Sequence, residues 1–182
     1  TENDRSAQIS VVENFISQGV DGIMLAPLDD SALVAPVDKA ARAGIPVIIF
    51  DSALNSESLV SFVATDNVVG GQLAGHELAR LLGEKGKVIL LRYMEGSAST
   101  EKRERGFLEA IEEYPGIEVI SDNIYAGTSR ATAQEAGENI LNRFGEEADG
   151  IFCPNESSTV GMMLALKRHG RAGGNVQLLG FD

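Results

Sequence analysis

Short apolar runs alternate along the chain with longer segments in which apolar residues recur at helical spacing. The first long segment carries Val12, Phe15 and Ile16 on one face and stops at Gly19. Short runs such as "DGIMLAP" and "IPVIIFD" are continuously apolar at their centres, as expected of strands covered on both faces. The pattern predicts, in chain order, helix 4–18, strand 21–25, helix 32–43, strand 46–50, strand 60–64, helix 68–82, strand 87–92, helix 100–114, strand 117–123, helix 129–144, strand 149–153, helix 157–169 and strand 175–180.

Strands that alternate with helices of this length predict an α/β fold with parallel sheets. The alternation breaks once, because the loop "DSALNSES" joins strand 46–50 to strand 60–64 with no helix between them. The break predicts a crossover and a domain boundary near Thr65, with one lobe at 1–65 and a second at 66–182. A helix opens the chain and a strand ends it, so we expect an internal piece of a longer protein that lacks a first strand and a terminal segment.

The charge and cysteine content limit the possible partners. The 182 residues include 15 Lys plus Arg against 27 Asp plus Glu, a formal net charge of −12 that works against nucleic-acid binding. The one cysteine, Cys153, excludes an intrachain disulfide, and with only His76 and His169 beside it a Cys/His zinc site is implausible. We expect Cys153 to be a buried small side chain and expect neither a metal nor a cofactor. The sequence contains no run of about 18 apolar residues, so it predicts no membrane-spanning helix.

Polar residues follow the strands at their carboxyl ends, where ligands bind in open parallel sheets. Many of these residues also suit helix starts, and we expect Asn67 to cap helix 68–82, whose glycines allow close packing. Asp51 ends an apolar strand and has no helix close behind it to cap. Contact with a polar partner or ligand is therefore as good an interpretation of this residue as a purely structural role. Carboxylate and amide groups in such a set match a polyol better than a phosphate.

Motifs for catalysis or nucleotide binding are missing from the sequence. "GEKGK" lacks the spacing and hydroxyl of a phosphate-binding loop, and "GGQLAG" starts inside a predicted helix and not in a strand-to-helix turn. No Gly-x-Ser-x-Gly elbow occurs. The sequence therefore predicts a binding protein and not an enzyme.

Five segments carry a resemblance to a known family: "IPVIIFDS", "FVATDNVVGGQLAG", "GSASTEKRERGF", "DGIFCPNESSTVGM" and "LLGFD". In this order they resemble the ribose-binding type of periplasmic sugar-binding protein, the type 1 periplasmic binding proteins. The resemblance implies two Rossmann-like lobes that close on a sugar, a periplasmic or extracytoplasmic location after removal of a signal peptide, and a monomer that delivers its ligand to the permease of an ABC importer. It also implies a hinge at Ala64, Thr65 and Asp66.

The resemblance assigns ligand-binding roles to four positions. It places the sugar-binding aspartate on Asp51, the arginine of "RERG" on Arg105, the asparagine of the strand-to-helix turn on Asn155 and the aspartate of "GFD" on Asp182. Arg105 is then expected to be buried, and the neighbouring Lys102 and Arg103 to be solvated. Helical spacing alone does not choose between the two arginines. Further ligand contacts are possible from Ser52, Tyr125 and Phe181.

Departures from the family pattern leave the identity of the sugar open. Ser52 stands where the ribose receptors have an arginine, and Ala26 where they have an asparagine. A second class is the effector-binding domain of a sugar-responsive transcription repressor, which shares the fold and the "GFD" strand. The acidity of the chain and the segments "CPNESST" and "TDNVVGG" favour the importer receptor.

Overall fold

The computed structural model describes residues 4–174 and 176–182, so positions 1–3 of the first predicted lobe and position 175 of the last predicted strand lie outside the described residues. The chain forms two compact units. The first runs up to Thr65 and takes in Glu95–Ser99; the second comprises Asp66–Met94 and Thr100–Asp182. The fold class is the predicted one, α/β with parallel sheets. In the described part of the chain, no helix combines the length and apolarity needed to cross a bilayer.

The first unit is a small parallel sheet in the order β1-β2-β3. Ile23, Val47 and Ile49 of its buried face pack with Leu33 and Val37. No helix separates β2 from β3, as the break in the alternation predicts. The elements are α1 (Arg5–Gln18), β1 (Ile23–Leu25), α2 (Val34–Arg42), β2 (Val47–Phe50) and β3 (Ser61–Val63).

Residues 95–99 belong to the first unit although they follow a strand of the second and include the first two residues of a helix, Ala98–Ile111, whose remainder lies in the second. Backbone and side-chain bonds hold them there: Asp30 N–H donates to the Gly96 carbonyl at 2.9 Å, and Ser99 N–H donates to Ser52 Oγ at 3.2 Å. Gly96 has φ +83°, and a Cβ on it would lie 2.4 Å from Asp29 Oδ2. The segment therefore requires glycine at position 96.

The second unit is a four-stranded parallel sheet in the order β5-β4-β6-β7 with apolar cores on both faces. Ile89 and Ile151 belong to one core, and Leu90 and Phe152 to the other. Burial of successive residues explains why these strands read as continuous apolar runs. The elements are α3 (Asn67–Leu82), β4 (Gly86–Arg92), α4 (Ala98–Ile111), β5 (Ile117–Tyr125), α5 (Arg130–Phe144), β6 (Gly150–Cys153), α6 (Glu156–Arg168) and β7 (Gln177–Gly180).

Glycines allow α3 and α4 to approach until backbone touches backbone. A Cβ on Gly71 would lie 2.0 Å from the carbonyl oxygen of Arg103, and a Cβ on Gly106 would lie 2.1 Å from that of Val68. Real Cβ atoms do not reach such distances. The middle of α4 is therefore held against the start of α3.

We predict that Gly71→Ala destabilises the protein because the added methyl group must push the two helices apart. Overpacking of this kind costs about 1–3 kcal/mol. Gly22→Ala is the matched control, since a Cβ there would meet Pro46 at 3.6 Å, an ordinary contact distance. Denaturant unfolding should show the loss in the first variant and a change within about 0.5 kcal/mol in the second. Equal free energies of unfolding for the two variants would contradict the close approach.

Candidate functional site

The carboxyl edge of the second unit's sheet gathers the ends of its strands and the starts of its helices. The turn after β6 holds Pro154 and Asn155, and the residues after β7 are Phe181 and Asp182. Helix α3 begins with Asn67. In parallel α/β sheets this edge is where ligands bind.

Arg103 of α4 is the cation that this edge buries. It is 8% exposed, its Nε donates to Asn67 Oδ1 at 2.8 Å, and its Nη1 donates to the Pro154 carbonyl at 2.9 Å. Its Cζ lies 4.1 Å from the centre of the Phe181 ring. Both hydrogen bonds have a charged donor, the stronger kind, so the guanidinium is fixed from several sides.

The expectation that Arg105 is buried and Arg103 solvated is wrong. The Arg105 side chain is 60% exposed, and its Nε lies 3.5 Å from Glu109 Oε1 one turn further along α4. Such an exposed pair contributes little to stability. Arg103 is buried because its side of the helix faces α3, where Gly71 allows the contact.

The expectation that Asn67 caps α3 is also wrong. Asp66 is the N-cap, and its Oδ1 accepts from Val69 N–H at 3.2 Å. Asn67 is therefore the first helical residue, 5% exposed, with its side-chain oxygen on Arg103. In the dipeptide Asp66–Asn67, the aspartate caps the helix and the asparagine binds the arginine.

Asn155 lies beside Pro154 and works as the N-cap of α6. Its Oδ1 accepts from Ser158 N–H at 3.2 Å and from Ser158 Oγ at 2.6 Å, and its Nδ2 donates to Ser157 Oγ at 3.2 Å. The side chain is half-buried. Its capping bonds fix it next to the carbonyl that holds Arg103, and a ligand-binding role for Asn155 stays a prediction.

The remaining predicted residues of this unit lie at the ends of strands. Phe181 is half-buried and packs on the core that contains Phe107 and Phe152. Asp182 is exposed and directly follows Phe181, and Tyr125, 42% exposed, ends β5. The structure thus brings Phe181 against Arg103 and places Asp182 next to it in the chain.

Asp51 and Ser52 follow β2 in the first unit. Asp51 is exposed, has φ +66°, and donates its N–H to the Val63 carbonyl at 3.0 Å. Positive φ is uncommon outside glycine and concentrates at functional sites. Ser52 is buried at 5% exposure, and its Oγ accepts the Ser99 N–H, so this hydroxyl holds segment 95–99. Ligand contacts by either residue, and the hinge at Ala64 to Asp66, stay predictions.

An ion pair between the buried Glu104 and the partly exposed Arg92 holds α4 to the end of β4 within the second unit. Glu104 is 1% exposed; its Oε2 accepts from Arg92 Nη1 at 2.8 Å and its Oε1 from Tyr93 N–H at 3.1 Å. Burial raises the pKa of the Glu104 carboxyl, and the bonds from Tyr93 and Arg92 only partly offset this. The pair fixes the turn of helix that carries Arg103.

Two α/β units, each with a parallel sheet and helices, are the architecture of the type 1 periplasmic binding proteins. The model of the periplasmic binding protein domain matches residues 1–182. The chain belongs to this family.

Relatives of known function are sugar- or polyol-binding proteins. The chain is 32% identical over 180 residues to the xylitol-binding protein of Mycolicibacterium smegmatis, covering 99% of this chain and 51% of that protein. It is 30% identical over 181 residues to the ribose import binding protein RbsB of Bacillus subtilis, covering 100% of this chain and 57% of the relative. The chain thus spans about half the length of these curated relatives, which are binding proteins and not enzymes.

Solved structures of the family match the fold closely. The periplasmic component of a sugar transport system from Hahella chejuensis has a TM-score of 0.93 and 34% identity, covering 99% of this chain and 65% of its own. A solute-binding protein from Agrobacterium vitis with bound D-fucose has a TM-score of 0.90 and 35% identity, covering 97% and 61%.

We predict opposite pH dependences for two glutamates. A raised folded-state pKa makes the folded protein bind a proton more tightly than the unfolded chain, so Glu104 favours folding most below its unfolded pKa and this contribution is lost as the pH rises through the folded pKa. Glu104→Gln should remove that loss, and the variant should gain stability relative to the parent as the pH rises from about 4 to 7.

Glu138→Gln is the control for this prediction. Hydrogen bonds from Gln134 and Arg168 lower the pKa of Glu138, so its contribution is present at neutral pH and is lost as the pH falls. Melting temperatures measured against pH should therefore diverge from the parent in opposite directions. The same direction for both variants would refute the effect of burial on Glu104.

Proposed function

We propose that this chain is the greater part of a sugar receptor, which binds a monosaccharide or polyol outside the cytoplasm and delivers it, as a monomer, to the permease of an ABC importer. The observation that carries the proposal is the guanidinium of Arg103, buried at the carboxyl edge of a parallel sheet and held by Asn67, Pro154 and Phe181. Relatives named for binding xylitol and ribose, and a structure with bound D-fucose, support this class of ligand.

Arg103 takes the role of the cation in this proposal in place of Arg105. A sugar hydroxyl both donates and accepts, so a pocket that mixes one guanidinium with carboxylates and amides can pair each hydroxyl. Asp51, Asn155 and Asp182 supply such groups, each at the carboxyl end of a strand of its own unit. Binding requires no nucleophile or general base, consistent with a receptor.

The ligand class can be tested by thermal stability. The full-length protein is heated with each member of a panel containing D-ribose, xylitol, D-fucose, D-allose, D-tagatose and myo-inositol. A ligand at about 100 times its dissociation constant stabilises the folded state by roughly 2.7 kcal/mol. We expect at least one sugar or polyol to raise the melting temperature. Failure of the whole panel would overturn the proposal.

We predict that Arg103→Ala weakens the binding of the selected sugar by about 30-fold or more, because loss of a buried charged partner costs at least about 2 kcal/mol. Arg105→Ala is a closely matched control: it removes the same side chain from the same helix, two residues away. Its affinity, measured by titration calorimetry, should remain within about twofold of the parent.

Arg103→Lys separates charge from geometry, since lysine keeps the positive charge but loses the planar fork. We expect it to bind more weakly than the parent. If Arg105→Ala lost the affinity and Arg103→Ala kept it, the assignment of Arg103 would be wrong.

A further inference from the structure

The guanidinium of Arg103 is oriented by groups from different parts of the second unit. Asn67 comes from the start of α3, Pro154 from the turn after β6 and Phe181 from the end of β7. The Pro154 contact uses a backbone carbonyl, whereas Asn67 and Phe181 contact Arg103 through their side chains.

Asn67 is well suited to bind an arginine side chain because its own position is fixed by the first turn of α3. It is the first residue of α3, and the Asp66 side chain already caps the helix. With Asn67 5% exposed, its oxygen accepts from Nε of Arg103 at 2.8 Å. This bond constrains rotation of the guanidinium about its stem, since Nε lies inside the side chain and not at its tip.

Phe181 forms a platform between α3 and Arg103. A Cβ on Gly70 would lie 2.7 Å from Cε2 and 2.8 Å from Cζ of the ring, so the ring rests where a larger residue at position 70 would collide with it. The guanidinium carbon lies 4.1 Å from the ring centre. Gly70 thus determines how near the Phe181 ring lies to α3. The ring in turn determines how far the Arg103 guanidinium lies from α3.

We propose that Asn67 and Phe181, with Gly70 behind the ring, are positioning residues that set the orientation of Arg103 and thereby determine which arrangement of ligand hydroxyls it accepts. This inference rests on the proposed function. A fork held before the ligand arrives loses less conformational freedom on binding. A fixed guanidinium also fits the hydroxyls of one sugar better than those of its epimer, because it cannot move to reach a hydroxyl oxygen in a different position.

The test is a double-mutant cycle on the full-length protein with the panel sugar that binds best. Asn67→Ala, Phe181→Leu and Gly70→Ala are each made in the parent and in Arg103→Ala. Each should weaken binding by about 5- to 10-fold in the parent, because the ligand must then order the Arg103 side chain itself. In Arg103→Ala, each should change the affinity by less than about twofold, because the group through which it acts is gone.

Two controls exclude nonspecific loss of an asparagine or of an aromatic ring. Asn142→Ala removes an exposed asparagine of α5. Phe144→Leu removes a ring that likewise lies under an arginine, with Arg143 Cζ 5.0 Å from its centre. Both should leave sugar affinity unchanged.

A measurement without ligand keeps this inference separate from the proposed function. In nuclear magnetic resonance spectra, the Nε–H of Arg103 should exchange slowly with solvent in the parent and rapidly in Asn67→Ala. If Arg103→Ala binds the sugar normally, or no panel member binds, the proposed function fails, while the exchange result still reports on positioning.

The positioning role itself is overturned by either of two results. One is an unchanged affinity and unchanged Nε–H exchange in Asn67→Ala and Phe181→Leu. The other is an equal loss of affinity in the parent and in Arg103→Ala, which would mean that these residues support the fold or touch the ligand independently of Arg103. A change in the order in which the panel members bind, since they differ in the arrangement of their hydroxyls, would support control of specificity.

Discussion

The near contact of α3 and α4 is the constraint on which the candidate site depends. Because residues 71 and 106 are glycines, the backbone of each helix fills the space a side chain would occupy on the other. The start of α3 then lies within hydrogen-bonding distance of Arg103, and the ring of Phe181 fits beside Gly70. A larger residue at either helix contact would separate the arginine from the asparagine that fixes it. Packing between two helices thus sets the geometry of a polar site.

The polar residues at this edge are organised by tasks that the backbone imposes. Asp66 and Asn155 satisfy N–H groups at the starts of α3 and α6, as helix termini require. Asn67 is thereby available to Arg103, and Pro154 offers it a carbonyl. The capping bonds hold the turns in place, and the turns hold the arginine. Local capping and the position of Arg103 are therefore linked at this edge.

The fold could be predicted from the sequence because apolar periodicity records burial directly, including the loop without a helix between β2 and β3. The family motif "RERG" led to Arg105 and did not identify Arg103 as the buried arginine. Helical spacing of the apolar residues alone does not choose, but the small residues Gly106 and Ala110 add an indication of close packing. With Phe107 they follow Arg103 at the i+3, i+4 and i+7 spacing of one helix face, whereas Arg105 lies on another. The tertiary contact with α3, which gives this face its partner, has no local pattern. The same contact makes Asn67 an arginine ligand and not a cap.

Ser52 shows how replacement of one side chain can change which residues bind the backbone and which are available to a ligand. The resemblance to ribose receptors places an arginine at this position, whereas here a buried hydroxyl accepts the Ser99 N–H and holds segment 95–99 to the first unit. A side chain as long as arginine would need the space that this contact fills. In our proposal, cationic recognition of the ligand therefore relies on Arg103 in the second unit, and the accuracy with which Asn67 and Phe181 hold that side chain matters more here than in a receptor with an arginine at each position.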